Sequence, residues 1–457
     1  ITALEKPNKK TLTRIFHRSP RQFRHLENDV IKIDDPPASK EQVKRTGSLV
    51  ALGSALTMSL PMLLGCAFMI IASRISGISR GIFMYVGLVT AVSSAIIGTI
   101  RGIMGMRKAV KEYEEYEKLR SEKYGAYLRE EEKRIQAKYE RNSRVLSERY
   151  VSAKESALYN ADTPSLWGRN ANQPDYLTHR LGIGDLPFQV DIQIPEKKFA
   201  MVDNNLMELP REIKKKYSQL KNVPICVDLL EQMLVGVIGG RRMAGGIKLV
   251  RDLLIQIAAN NAYTDVKIAL IYDNNRDGLE KEWDFVRWIP HTWNETKTFR
   301  YIASNKEEAS NVFYELNKVI RQRVEDKNSF ENSRKKGILK PYYVLIVAAP
   351  EFLEGELISQ YLLDPDFCYG LSTIYMTEKY EQLPNNCEFI IENDEEYHGV
   401  YNVSDDLEER VSVRFDDLTI EDAERFATCI ASIELQEIEE SGDIPDSVAF
   451  LDMYGVN

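Results

Sequence analysis

Cysteine and histidine are scarce in this sequence, with five of each among 457 residues. The cysteines are far apart and no two form a C-x-x-C pair, which excludes a zinc ribbon and gives no disulfide framework. The histidines likewise lack the spacing of metal ligands. We therefore expect a protein of a reducing compartment without a structural metal site.

The sequence also lacks an excess of positive charge. Its 60 lysines and arginines are outnumbered by 69 aspartates and glutamates, so the formal net charge is -9. This balance argues against a surface built mainly to hold nucleic acid, which attracts basic proteins. Nucleic acid is therefore not expected among the partners.

Charge is absent altogether from two hydrophobic runs, residues 49–72 and 81–100. Each approaches the roughly 20 residues that a helix needs to cross a membrane, so we predict a transmembrane helical hairpin at residues 49–106. Basic residues flank this hairpin on both sides, which places both termini in the cytoplasm and the connecting loop outside. The alternative is a buried helical hairpin in a globular core, although core helices are shorter and keep a polar stripe.

Residues 1–48 are predicted to form a cytoplasmic juxtamembrane segment that is polar and basic. Its stretch RIFHRSPRQFR, residues 14–24, mixes arginines with aromatic residues. The arginines could contact anionic lipid headgroups, or the segment could dock on the protein itself. Docking is favoured because the apolar side chains need a partner.

Residues 107–160 are predicted to form a long, charged stalk helix. An apolar seam with alternating spacings of four and seven runs along it, as in a partial heptad pattern. Such a seam implies a partner, so the stalk would self-associate or pack on a neighbouring protein. The alternative is a helix that lies on its own domain. The seam consists of Tyr124, Leu128, Ile135, Tyr139, Leu146, Tyr150 and Ala157.

In residues 161–457, short apolar strand patterns alternate with amphipathic helical patterns. This alternation indicates βαβ units, and hence an α/β domain with a mainly parallel sheet and helices on both faces. Strands are predicted at residues 223–228, 233–238, 266–273, 299–302, 343–348, 371–376 and 388–391, and helices at 244–260, 306–327, 356–363 and 419–438.

A glycine-rich turn joins the predicted strand at 233–238 to the predicted helix at 244–260, where a nucleotide-binding P-loop would lie. Gly240 and Gly245 fit the pattern G-x-x-x-x-G-K-[ST], but Gly246 stands at the lysine position and Ile247 at the hydroxyl position. The lysine would contact the β- and γ-phosphates, and the hydroxyl would bind Mg²⁺. The sequence therefore predicts a degenerate P-loop.

Two arginines, Arg241 and Arg242, lie in the same turn. Together with Gly240, Gly245 and Gly246 they are the candidate binding residues, because a helix N-terminus with basic side chains can hold an anion. The alternative is that the arginines face solvent or a subunit interface. No catalytic or metal-binding residue is assigned.

The acidic partner of a P-loop is missing as well. The predicted strand at 343–348 should end in an aspartate that holds Mg²⁺, but Ala348 and Ala349 occupy this position. Glu351 and Glu354 follow only later. Two losses on two strands argue against ATP hydrolysis by this domain.

The order of these parts resembles the membrane-bound ATPases of type VII (ESX/WXG100) secretion systems, the EssC/EccC family, over essentially the whole chain. FHRSPR (16–21) and IKIDDPP (31–37) look like the family's segment before its first span. VKIALIYD (266–273) and WIPHT (288–292) are similar to a strand and a loop of FtsK/SpoIIIE-type ATPases, and LSTIYMTE (371–378) resembles their late strand.

The resemblance implies that residues 161–457 are a degenerate RecA/FtsK-like P-loop-type domain, followed in the full-length protein by further ATPase modules. The chain would be the membrane anchor and coupling domain of a motor in the bacterial cytoplasmic membrane. It would have no cofactor of its own, since ATP and Mg²⁺ would bind the later modules. Expected partners are other secretion components, identical chains in a hexamer and, through the later modules, WXG100-type substrates.

Two other interpretations compete with this one. The first is a weakly nucleotide-binding or hydrolysing regulatory domain of the same machine. The second is an FtsK-type DNA translocase, which the acidic net charge and the presence of only two predicted spans disfavour.

Overall fold

The computed structural model describes residues 14–39 except 20 and 22, isolated positions between 64 and 75, and residues 81–435 except 196–204, 277–278, 331–337, 364–368 and 408. The chain divides into two compact units. The sheet unit comprises residues 1–27, 139–188 and 219–457, and the helix unit comprises residues 28–138 and 189–218.

Strands and helices are numbered in chain order. The strands are β1 (Arg14–Phe16), β2 (Val30–Lys32), β3 (Thr178–Pro187), β4 (Asp191–Gln193), β5 (Gln219–Asp228), β6 (Leu234–Ile238), β7 (Val266–Ile271), β8 (Ile302–Ala303), β9 (Tyr342–Val347), β10 (Leu371–Thr377), β11 (Phe389–Asn393), β12 (His398–Asn402), β13 (Val411–Phe415) and β14 (Ile433–Leu435). The α-helices are α1 (Gly81–Arg149), α2 (Ala153–Ser156), α3 (Glu208–Lys216), α4 (Ala244–Asn260), α5 (Leu279–Trp283), α6 (Lys306–Phe330), α7 (Ser359–Leu362) and α8 (Ile420–Ile430).

The sheet unit is built on a ten-stranded mixed sheet with the order β5-β3-β13-β12-β11-β6-β10-β9-β7-β8. The strands from β11 to β8 are parallel, whereas β12, β13, β3 and β5 pair antiparallel. The prediction of a mainly parallel sheet is therefore wrong for one side of the sheet. Only residues 394–397 join β11 to β12, which is too short for the crossover that a parallel pair requires.

The centre of the sheet is buried on both faces. Strands β6, β7 and β9 are buried along their whole length, and α4 is buried from Gly246 to Asn260 except at Lys248. Continuous apolar strands of this kind are typical of parallel sheets covered by helices. The carboxyl ends of these strands form one edge of the sheet, and the glycine-rich turn lies at that edge.

The predicted transmembrane hairpin is not observed. Much of the first run, residues 49–72, lies outside the described residues. The second run, residues 81–100, continues without a break into the charged residues that follow, so that α1 is one helix of 69 residues. No helix in the described part of the chain is both long enough and apolar enough to cross a membrane. The predicted two-span fold and the multi-pass membrane localisation with both termini cytoplasmic are therefore wrong for that part.

In the helix unit, the seam of α1 is covered by the chain itself. Tyr124, Leu128 and Ile135 are buried, and Ile135 is 0% exposed. The Tyr124 hydroxyl donates a hydrogen bond of 3.0 Å to the carbonyl of Asp34, and Arg120 Nε donates one of 2.6 Å to the carbonyl of Pro37. The strand pair β2–β4 belongs to the same unit. The seam is thus occupied within the chain, as in the alternative of a helix lying on its own domain.

The basic N-terminal segment docks on the sheet unit. Phe16 is buried, and its ring packs edge-on against Trp167 with centroids 5.5 Å apart. Arg18 Nη1 lies 2.6 Å from Asp265 Oδ2, and β1 pairs in parallel with β14. Docking on the protein itself, the favoured prediction, is what the structure shows.

Candidate functional site

The glycine-rich turn connects β6 to α4 through an unusual backbone. Gly240 has φ +66°, and Arg242 and Met243 lie in the left-handed region with φ +57° and +54°. A 3₁₀ turn over Arg241–Met243 leads into the first turn of α4. The predicted strand–turn–helix unit is therefore present, with Gly240, Gly245 and Gly246 in the turn and the first helical residues.

The backbone donors of this turn bond within the protein. The Met243 N–H donates to the Gly240 carbonyl at 2.9 Å, and the Gly245 N–H donates to the Gly239 carbonyl at 3.0 Å. The Gly239 N–H donates to the carbonyl of Thr377 on β10 at 2.9 Å. A P-loop holds phosphate through backbone N–H groups that point at the ligand. Three donors of the turn are here already used.

The turn between β11 and β12 lies directly on the glycine-rich turn. A Cβ atom on Gly245 would lie 1.8 Å from the backbone oxygen of Asn393, and one on Gly240 would lie 2.6 Å from Glu395 Oε2. Asn393 Nδ2 donates to the Gly245 carbonyl at 2.9 Å. These glycines therefore permit close approach of another part of the same chain.

This covering segment, residues 393–396, is acidic and locally ordered by its own hydrogen bonds. Asp394 Oδ1 accepts from the backbone N–H groups of Glu396 and Tyr397, both at 2.8 Å, as in an Asx turn. Asp394, Glu395 and Glu396 place three carboxyl groups in the segment. Glu395 lies beside Gly240, so an anion that approaches this side of the turn meets negative charge.

Arg241 and Arg242 are exposed, and neither forms an ion pair with any residue that the structure describes. Lys248, one turn into α4, lies 3.9 Å from Asp417. The arginines are thus brought to the same turn as the three glycines but do not point to a closed site. Their solvent exposure matches the alternative stated for them.

The end of β9 carries no acidic side chain toward the turn. Ala348 and Ala349 are buried and apolar. Glu351 pairs instead with Arg276, 3.0 Å between Oε1 and Nη2. Neither of these two alanines can hold Mg²⁺ next to the turn.

Asp252, on α4, is an acid whose pKa is strongly raised. Its carboxyl is 2% exposed, and Oδ1 accepts from the Leu418 N–H at 3.2 Å while Oδ2 has no hydrogen-bond partner among the described residues. Burial raises the pKa of Asp252 to about 7, and the hydrogen bond from Leu418 opposes this shift. The group lies in the packed interface with α8 and forms no metal-binding cluster in the described part of the chain.

The sequence alone does not connect the acidic residues 394–396 with the glycine-rich turn. The contact joins residues almost 150 positions apart, and no motif marks it. A run of glycines without the P-loop lysine, together with an acidic turn elsewhere, was the available signal.

Comparison with known proteins gives relatives that are named as ESX or type VII secretion system proteins. No family model matches the chain. ESX secretion system protein YukB of Bacillus subtilis is 25% identical over 446 residues, which are 96% of this chain and 28% of the relative. EccC of Geobacillus thermodenitrificans is 24% identical over the same shares, and EssC of Staphylococcus aureus is 22% identical over 445 residues. This chain thus spans about 28% of the length of these relatives.

Two solved structures show a limited likeness. EssC (ATPases 2 and 3) from Geobacillus thermodenitrificans has a TM-score of 0.38 at 13% identity, covering 59% of this chain and 51% of that chain. Thermomonospora curvata EccC (ATPases 2 and 3), in complex with a signal sequence peptide, has a TM-score of 0.38 at 12% identity, covering 61% of this chain and 51% of that one.

Proposed function

We propose that this chain is a non-hydrolysing, ATPase-like coupling module of a type VII protein secretion system. Relatives named as ESX or type VII secretion system proteins match 96% of the chain at 22–25% identity, which supports the assignment to this secretion system. Since the chain spans only 28% of each relative, the activity of a complete protein and its export of WXG100-type substrates are part of the proposal.

The observation that carries the proposal is the contact between Asn393 and Gly245. It brings another part of the chain against the glycine-rich turn, and Glu395 adds negative charge beside Gly240. Strand β6 and helix α4, which flank the turn, are buried in the core of the sheet unit. A domain with such a packed core suits a part that packs against other components and relays their movements.

Loss of the phosphate-binding groups removes the means of catalysis. Phosphoryl transfer depends on positioning and on charge stabilisation by lysine, Mg²⁺ and their ligands. Removing one such stabilising group typically costs about 10²–10³ in rate. Gly246, Ile247 and Ala348 stand where three of them would be, so turnover should fall by several powers of ten.

The direct test is release of phosphate from Mg-ATP by the purified chain. We expect background turnover for the chain and for a double variant with Arg241→Gln and Arg242→Gln. Turnover near the ordinary enzyme range of about 1–10³ s⁻¹, lost in the double variant, would overturn the proposal.

Assembly belongs to the same proposal in its finer form. We infer that the chain associates with other secretion components and with identical chains, in a hexamer as the resemblance implies. Light scattering of the purified chain measures this. A mass of six chains supports the hexamer, and a mass of one chain at all concentrations removes it.

A nucleotide-responsive domain is the second candidate, and the exposure of Arg241 and Arg242 favours it. Two guanidinium groups beside the N-terminus of α4, which form no ion pair with the described residues, could attract a phosphate from solvent. This candidate requires saturable binding of Mg-ATP that depends on both arginines. The first proposal requires that no Mg-ATP binding depends on these arginines.

A further inference from the structure

A cationic cavity lies in the sheet unit, at the C-terminal end of α1. Its volume is about 280 Å³, and its lining includes Arg21, Arg149, Arg169, Ser165 and Asn260. Three separate segments of the chain thus contribute arginines to one small cavity. Neither the glycine-rich turn nor the acidic turn takes part in it.

The arginines of this cavity are held in place by the fold. Arg169 is 3% exposed, and its guanidinium donates to the carbonyls of Asp175, Thr178 and Arg149. Arg149 donates to the Arg24 carbonyl. These acceptors are neutral carbonyl groups, which orient the guanidinium groups without cancelling their charge.

One carboxylate serves two of the three arginines. Asp175 forms a bidentate salt bridge with Arg21. Arg21 Nη1 lies 2.9 Å from Asp175 Oδ1, and Arg21 Nη2 lies 2.7 Å from Asp175 Oδ2. The same Oδ2 lies 4.0 Å from Arg169 Nε. Burial lowers the pKa of Arg169, Asp175 opposes that shift, and the nearby charge of Arg21 adds to it. Arg21 and Arg169 thus share a single negative charge.

Arg149 has no carboxylate partner among the residues that the structure describes. Glu148 lines the cavity, but its Oε2 is paired with Arg24 Nη1 at 2.7 Å. The Arg149 guanidinium lies over the ring of Phe23, 4.1 Å from its centroid. The cavity therefore has more positive than negative charge, and part of the excess is enclosed.

We propose that this cavity binds a small oxyanion, a phosphate ion or the phosphate group of a larger ligand. Arginine guanidinium groups match phosphate oxygens with several N–H donors each, and Ser165 adds a hydroxyl group. The volume lies just below the roughly 300–1,000 Å³ of sites for drug-sized ligands. It suits a phosphate group better than a complete nucleotide. A bound anion would connect the N-terminal segment, the end of α1 and the loop at 164–169.

The test is calorimetric titration of inorganic phosphate into the complete 457-residue chain at constant ionic strength. Arg149→Gln removes the arginine that lacks a carboxylate, and Arg144→Gln is the matched control, because Arg144 is an exposed residue of the same helix. We expect the wild type and R144Q to bind alike and R149Q to bind at least about tenfold more weakly, since the charge-assisted hydrogen bonds of the guanidinium group are lost. Circular dichroism without phosphate shows whether R149Q is folded.

If R149Q does not fold, Ser165→Ala replaces it, with a weakening of severalfold expected. An ATP titration distinguishes the sources of phosphate: binding of ATP that R149Q also weakens indicates the phosphate group of a larger ligand, and binding of phosphate alone indicates the free ion. No binding by the wild type at millimolar phosphate, or equal affinity in R149Q, would overturn the inference. Binding lost only in the Arg241/Arg242 double variant would overturn it too, and would count against the proposed function as well.

Discussion

Gly245 shows most clearly how a single residue decides the character of the glycine-rich turn. A glycine at this position usually lets backbone approach a phosphate. Here its missing side chain gives room to the backbone oxygen of Asn393. The requirement for glycine is the same in both cases, but the neighbour differs.

The residue-scale consequence is that Gly245→Ala should destabilise the sheet unit. Its Cβ would lie 1.8 Å from Asn393 O, so one of the two turns must move. Overpacking of this kind costs about 1–3 kcal/mol, measurable as a lower urea midpoint.

Gly105→Ala is the matched control. Nothing lies within 4 Å of the corresponding Cβ in α1, so this change should stabilise the helix by about 0.5–1 kcal/mol. Equal stability of G245A and wild type would contradict the close contact.

Asp252 gives a pH-dependent prediction. Its pKa in the folded state, about 7, lies above the value of 3.8 for an unperturbed aspartate. Its contribution to stability is therefore complete below pH 3.8 and is lost as the pH rises through 7, by up to about 1.4 kcal/mol per pH unit. Asp252→Asn should gain stability relative to wild type between pH 5 and pH 8.

Urea unfolding at the two pH values measures this gain. Asp406→Asn, at an exposed position, is the control and should show no such trend. A D252N variant that is less stable than wild type by the same amount at both pH values would contradict the role given to burial.

At this scale the sequence predicted which residues meet in the turn but not what covers them. Gly240, Gly245, Arg241 and Arg242 follow one another along the chain, so local spacing was sufficient to find them. Asn393 reaches Gly245 only because β11 is hydrogen-bonded beside β6. Such a contact depends on strand order, which a single sequence does not specify.

Among the elements, α1 carries the largest change of interpretation. Its apolar seam was correctly identified, since Tyr124, Leu128 and Ile135 are all buried. The predicted partner was a neighbouring protein, whereas the structure covers the seam with the same chain. Periodicity shows that a helix face is buried, but it does not say against what.

Ile135→Asp should therefore destabilise the helix unit independently of protein concentration. Ile135 is 0% exposed, and replacing it removes a buried side chain at a cost of about 2–5 kcal/mol, with an added penalty for burying a carboxylate. Thermal unfolding followed by circular dichroism measures the loss.

The exposed Ala137→Asp is the control on the same helix, and we expect no loss of comparable size. A loss that disappears on dilution in both variants, or that accompanies a change in oligomeric mass with intact helix content, would instead favour a seam between chains.

Some strands of the large sheet were predicted from the sequence, and others were missed. β6, β7 and β9 were predicted because they are mainly apolar runs, and all three are buried along their whole length. β3, β12 and β13 were missed because polar, charged or glycine residues interrupt their apolar residues, as in antiparallel strands with one more open face. These missed strands, with β5, make the sheet mixed rather than mainly parallel.

At the scale of the whole molecule, the proposed function belongs to the sheet unit. Its central strands and α4 form the main apolar core, and both cationic features, the exposed arginines of the glycine-rich turn and the cavity at Arg149, lie on this unit. Hydropathy predicts a membrane span at residues 81–100, whereas no helix in the described part of the chain is both long enough and apolar enough to cross a membrane.

The central claim is that the glycine-rich turn holds no nucleotide. The most direct test is an equilibrium titration of Mg-ATP into the purified chain, with the Arg241→Gln, Arg242→Gln double variant and Arg149→Gln as comparisons. We predict no saturable binding that depends on Arg241 and Arg242. Binding that only R149Q abolishes would belong to the oxyanion cavity and leave the claim intact. Saturable binding that the double variant abolishes and R149Q retains would contradict it.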